Sequence, residues 1–282
     1  MKNNRLGVTY MLISLLAFSA MHVAVKFLHH VPVSELILFR SVFSLIVCWF
    51  TIQHLQINPW GNDKKGLILR GILGVSSLAL FFYSLKLLPI ATAVIIGNLV
   101  PFFTLLLALV FLKENVPTYR WVLLLISLVG VVCIKGLDAS ISWLGITCAV
   151  LGALGTASAH FTVGWLKKSE HVQVVMFYFP LVTIPIVLPF AIYEWVTPVG
   201  LDWIWVGVVM IGTHIGQLFL TKAYHHADVE SLSPTYFVGI LLSIFYGYWI
   251  FNEPLTYGQW IGSIIIIACL YGHHRWSSLR KK

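Results

Sequence analysis

Charge is what this sequence has least of. Asp, Glu, Lys and Arg supply 10% of its 282 residues, against roughly a quarter in a typical soluble domain. Hydrophobic residues supply 59%. A globule of this size has too little interior to hide that much apolar surface, so a soluble fold is excluded, and with it disorder, collagen and coiled coil. Cysteine is sparse as well. Cys48, Cys133, Cys148 and Cys269 all fall inside apolar stretches, with no CxxC pair. That argues against a disulfide framework or a zinc site and leaves four small core residues. No metal and no cofactor is expected.

The ten carboxylates sit at positions 35, 63, 114, 138, 170, 194, 202, 228, 230 and 253. None lies in the middle third of an apolar stretch, so a mid-membrane carboxylate relay of the kind common in pumps is unavailable. The mid-stretch titratable side chains are His22, His160 and His214. A basic face is missing too. The net charge of +8 is broken into small clusters between apolar stretches, which is the pattern of membrane orientation and not of nucleic-acid binding. An enzyme embedded in the membrane needs clustered His and acid residues facing the surface. His29-His30, His225-His226 and His273-His274 are adjacent pairs, and adjacent residues on a helix do not share a face. The chain is not expected to be an enzyme.

What is present is a series of apolar stretches at 6–28, 34–53, 66–86, 90–112, 119–135, 142–166, 171–194, 201–224, 228–251 and 257–275. A span needs about 20 residues, so each is read as one crossing, the fifth being short. Lys2 and Arg5 ahead of the first stretch resemble a secretory signal, but the apolar run is too long for one and has a second copy later. It is read as a retained span. Shifting the chain by 139 residues lays one half over the other without a gap. Ser19-Ala20 meets Ser158-Ala159, Gly61 and Asp63 meet Gly200 and Asp202, Glu114 meets Glu253, and Trp121 meets Trp260. Five spans per half is an odd number, so the second half must start from the other side of the membrane. The expected fold is an all-α membrane protein of ten transmembrane helices in two inverted five-helix repeats, residues 1–138 and 139–282.

With a cytoplasmic N-terminus, Lys2, Arg5, Lys64, Lys65, Lys113, Arg120, Lys167, Lys168, Arg275, Arg280, Lys281 and Lys282 all flank spans on the cytoplasmic side. Lys26, Lys86 and Lys135 are left for the outer side. The excess predicts both termini inside.

Polar residues on one helical face near mid-depth mark the bundle interior. Ser19, His22 and Lys26 do so in span 1, Ser76 and Tyr83 in span 3, and Asn98 beside Pro101 in span 4. Span 6 has Thr156 and His160, span 8 has Thr213, His214, Gln217 and Thr221, and span 9 has Ser233, Tyr236 and Ser243. These six spans are expected to line a central pathway, with spans 2, 5, 7 and 10 facing lipid or bracing. Ser19, His22, Ser76, Tyr83, Asn98, His160, His214, Gln217 and Tyr236 are the candidate substrate-binding residues. Each has a plainer reading. Gly152, Gly155, Thr156 and Ala159 fit small-residue helix packing. Asn98 has an amide that interhelical bonding would satisfy, and Tyr83 and Tyr236 are ordinary core residues. His214 is the candidate proton carrier or, more plainly, a hydrogen-bonded bridge. Arg40 reads as an anchor that snorkels outward or pairs with Glu35 or a carbonyl.

Phe39-Arg40, Pro101, Phe111-Leu112-Lys113-Glu114 and the second copy Ile250-Phe251-Asn252-Glu253-Pro254-Leu255-Thr256, followed by Trp260 and Gly262, resemble the EamA family of the drug/metabolite transporter superfamily over about residues 6 to 275. The resemblance implies ten helices in two inverted repeats, a cavity lined by helices 1, 3, 4, 6, 8 and 9, and carriage of small metabolites across a bacterial inner membrane. It makes Glu114 and Glu253 fold markers. Pro234 lies earlier in its span than Pro101, which puts the second-half break nearer the cytoplasm. Leu69-Arg70-Gly71 resembles the branch that takes up S-adenosylmethionine. A cavity read as neutral, aromatic and hydroxyl-rich suits an amino-acid-like zwitterion or a base-bearing metabolite better than a strongly charged anion. The expected partners are that metabolite and the lipid bilayer, with protons and a second copy of the chain as further candidates and no nucleic acid. A lipid flippase and a non-transporting scaffold are the rival readings.

Overall fold

The computed structural model describes residues 4–112, 118–135, 141–166, 169–227, 232 and 235–279. The helices are α1 (Asn4–Phe27), α2 (Val33–His54), α3 (Lys64–Leu87), α4 (Ile90–Gly97), α5 (Val100–Leu112), α6 (Thr118–Lys135), α7 (Trp143–Leu166), α8 (Val172–Tyr193), α9 (Asp202–His226), α10 (Tyr236–Phe251) and α11 (Tyr257–Leu279). No strand occurs among the described residues. Spans 1 to 3 and 5 to 8, and span 10, each appear as one helix. Span 4 is divided. Asn98 ends α4 and its side chain donates 2.8 Å to the carbonyl of Val94, one turn back. Pro101, at the start of α5, cannot donate a backbone hydrogen bond into the preceding turn, so the break falls beside it. Span 9 is described at residue 232 and from Thr235 onward; Pro234 and Ser233 lie outside the described residues, as does Glu114.

Helix starts recur at the interval found in the sequence. α1, α2 and α6 begin at residues 4, 33 and 118, and α7, α8 and α11 begin at 143, 172 and 257. Gly61 and Gly200, one interval apart, both turn the chain with positive φ (60° and 58°), a conformation that favours glycine. The packing repeats with the boundaries. α1 runs antiparallel to α9: Gly7 abuts Ala227, Ser14 donates to the carbonyl of Gly216 and Phe27 stacks on Trp205. α3 runs antiparallel to α7 in the same way, with Gly66 beside Leu166, Ser77 beside Gly152, and Leu88 beside Gly145. α1 and α3 end together, since Lys26 donates to the carbonyl of Leu88. α1 and α7 therefore point in opposite directions, and the two halves are inverted. Small residues at these crossings let the backbones approach, which is how apolar helices associate where lipid removes the hydrophobic drive.

α6 and α11 pair at the periphery through Gly130 and Gly262, whose backbones touch. Their other faces expose Leu125, Val129, Val132, Ile261 and Ile264, as bracing spans in lipid should. The molecule has two ends. The basic end carries Lys64, Lys65 and the loops 55–63 and 169–171. There Glu170 accepts from the backbone of Asn62 and Asp63, and Tyr178 donates to the carbonyl of Trp60. The opposite end carries the loops 28–32, 88–89, 194–201 and 252–256.

Candidate functional site

Sequence patterning points to mid-depth polar side chains, and the helices bring some of these together. On α3 the inward stripe is Arg70, Gly74, Ser77 and Phe81, spaced i, i+4, i+7 and i+11, which is one face of an α-helix. Ser76 and Tyr83 lie one position round. Both are exposed, with Leu69, Ile72 and Leu87, and Tyr83 is 44% exposed. Ser77 donates to the carbonyl of Gly152 and lies 2.5 Å from the Thr156 hydroxyl. This favours the helix-packing role for Gly152 and Thr156.

Of the other candidates, Ser19 is buried and donates to the carbonyl of Leu16 in its own helix. His22 packs edge-on to Phe81, with ring centres 5.1 Å apart. Phe81 in turn lies against Gly97, so α1, α3 and α4 meet there. Asn98 is committed to Val94, as described. His160 is half-buried one turn beyond Thr156, and Gln217 is half-buried on α9. The side chain of Tyr236 lies outside the described residues, as do Asp228 and Glu230.

His214 shares a 3.1 Å hydrogen bond with the Ser44 hydroxyl and packs edge-on to Phe43, ring centres 6.0 Å apart. Both partners lie on α2, a helix expected only to brace. The same helix carries Arg40. This residue neither snorkels nor pairs with Glu35: it is 3% exposed, and Glu35 turns instead to the backbone N–H of Val196. The Arg40 guanidinium lies 5.1 Å from the centre of the Phe179 ring on α8. The Arg70 guanidinium, from α3, lies 4.9 Å from the same ring, and both distances are within cation–π range. Gly74 leaves the room. A Cβ there would sit 2.5 Å from Arg70 Nη1 and 2.6 Å from the Phe179 ring.

The expectation of a neutral interior is therefore corrected. Two guanidiniums stand beside the expected His214, where a neutral, aromatic and hydroxyl-rich interior was read from the sequence, and α2 and α8 contribute to the candidate site. Arg70 was legible as a charge six positions inside α3, and the same test that finds buried acids finds it. Phe179 and Gly74 carry no such signal, since a Phe or Gly in an apolar helix is unremarkable.

Comparison with known proteins gives three results. The model of the EamA-like transporter family matches residues 5–136 and 143–272. Relatives include the pseudopaline exporter of Pseudomonas aeruginosa, 27% identical over 272 residues and covering 94% of each chain. The S-adenosylmethionine uptake transporter of Rickettsia conorii is 29% identical over 263 residues, covering 93% of this chain and 90% of its own. A crystal structure at 18% identity superposes with a TM-score of 0.66 over 94% of both chains, which concerns the fold alone.

Proposed function

The chain belongs to the EamA-like transporter family, and on that premise we propose that it carries a small amino-acid-like metabolite across a bacterial inner membrane by alternating access. The observation that supports this reading most is the convergence of polar and cationic side chains inside the helix bundle, with His214, Ser44, Arg40 and Arg70 gathered between α2, α3, α8 and α9. Such groups are costly in a bilayer and mark a pathway when they face the bundle interior. The inverted halves, 1–138 and 139–282, supply the symmetry by which one end opens as the other closes. The lysine and arginine asymmetry supports a cytoplasmic side for both termini.

S-adenosylmethionine is the second reading for the cargo, favoured by the named relatives in Rickettsia species and by Arg70 in the Leu69-Arg70-Gly71 sequence. The test is uptake into proteoliposomes. Radiolabelled S-adenosylmethionine and a panel of amino acids are offered with and without an imposed pH gradient. Saturable uptake of at least one compound, with counterflow, is the expected result. Uptake no faster than in empty liposomes for every compound would replace a carrier with a scaffold. If protons couple through His214, the gradient drives accumulation by the wild type and only equilibration by His214→Gln.

A further inference from the structure

We infer that Arg40 and Arg70, both within cation–π distance of the Phe179 ring, form a carboxylate-binding site for the carried metabolite, with room in its charge for two carboxylates. The inference rests on the transport reading and narrows it from any small polar solute to an acid.

Three observations carry it. First, both guanidiniums belong to the membrane-embedded part of the bundle and both are held at one ring. Second, they lack counter-charge. The ion pairs of the described residues are Lys26–Glu253 and His30–Asp202, and neither arginine takes part. Third, three of their donor nitrogens are buried and unused. Arg40 Nε and both Nε and Nη1 of Arg70 are buried and make no hydrogen bond to the described residues. A buried unpaired charge is among the most unfavourable groups a fold can hold. A purely structural arginine ends on a carbonyl or a carboxylate, which these N–H groups do not.

The chemistry of the missing partner follows from the donors. Guanidinium is planar and its paired N–H groups match the two oxygens of a carboxylate. Phe179 brings both cations to one ring, and Arg40 Nε with Arg70 Nε and Nη1 are left without a protein acceptor beside it. Gly74 keeps the Arg70 edge unobstructed. His214, through its bond to Ser44 on the Arg40 helix, stands close by as a hydrogen-bonding group for the rest of the molecule. One carboxylate would offset one arginine and two would offset both, so affinity should rise stepwise with the number of acid groups.

The test reads binding directly, apart from transport. Thermal unfolding of the full chain in detergent is followed while titrating glutarate, its monoamide glutaramate, and its diamide glutaramide. The wild type is expected to be stabilised in that order, with about a tenfold loss of apparent affinity per acid removed, the size expected for hydrogen bonds to charged groups. Arg70→Gln should abolish the difference between acid and amide. Where that variant fails to fold, Arg40→Lys and Arg70→Lys keep the charge but lose the planar fork, and each should weaken glutarate at least severalfold. The inference is overturned if glutaramide matches glutarate in the wild type, if no acid shifts the unfolding at all, or if the arginine variants retain the full acid preference. Should metabolite uptake be found in proteoliposomes but show no preference for free acids over amides, the carrier stands and this site does not. Should acids bind through the arginines with no uptake of any solute, the site stands and the transport reading does not.

Discussion

A single glycine illustrates how tightly the cationic site is built. Gly74 is flanked by the Arg70 guanidinium and the Phe179 ring, and an added Cβ would come within 3 Å of both. The arginine end is flexible and can retreat; the ring, packed on α8, has less freedom. Gly74→Ala should therefore displace the cation more than it disturbs the fold. Overpacking of this kind costs about 1–3 kcal/mol, and alanine's better helix propensity returns up to about 1 kcal/mol. The expected outcome is a small fall in the unfolding temperature with at least a tenfold loss of uptake. Retained uptake in a destabilised variant would show that the Arg70 position is immaterial. At this scale the sequence was legible in part. His22, His214 and Arg40 stand out because charge and imidazole are rare in apolar runs. Ser76 against Ser77 was not decidable, because adjacent serines differ by one step of helical rotation and both registers fit a polar stripe. The neighbour that turns Ser77 inward, Gly152 on α7, lies 75 residues away.

Helices were far more legible than faces. Apolar length sets where a chain can cross a bilayer, and the long runs became α1, α2, α3, α7, α8 and α9 with ends within a few residues of those expected. The division of span 4 was foreshadowed by Pro101. The bracing role was legible for α6 and α11, whose contact is small-residue packing with apolar outer faces, but not for α2 and α8. Those two carry few polar residues, and their part in the site comes from one arginine, one serine and two phenylalanines whose meaning depends on what they face. Orientation is a property of the flanks. If the lysine and arginine excess sets it, reporter fusions at Lys65 and Lys282 should both signal from the cytoplasm. An outside signal at either position contradicts the orientation.

For the whole molecule, inverted repeats imply two related states, and the sequence shows where the relation is broken. At the opposite end the Lys26 ammonium lies 2.5 Å from Glu253 and donates to the carbonyl of Leu88. Glu253 also accepts from the backbone N–H of Ile90. One ion pair thus draws together the end of α1, the α3–α4 link and the segment after α10. Behind it, Ile90 to Ile96 of α4 are all buried, which seals this end. One repeat interval away, Lys26 corresponds to Trp165 and Glu253 to Glu114, so the lysine itself is not repeated. The Lys26–Glu253 pair belongs to the state closed at the opposite end, and removing it should shift the equilibrium away from that state. A ligand or mutation shifts such an equilibrium only by its differential effect on the two states, and each ~1.4 kcal/mol is a tenfold change. In a background without the four cysteines, His22→Cys reports access from this end through its reaction with a membrane-impermeant thiol reagent. Adding Lys26→Gln should raise the labelling rate about tenfold, if the pair contributes about that energy. Exchanging the charges, with Lys26→Glu and Glu253→Lys together, should bring the rate back down. An unchanged rate in Lys26→Gln would remove the ion pair from the gate and leave the buried α4 as the sole seal.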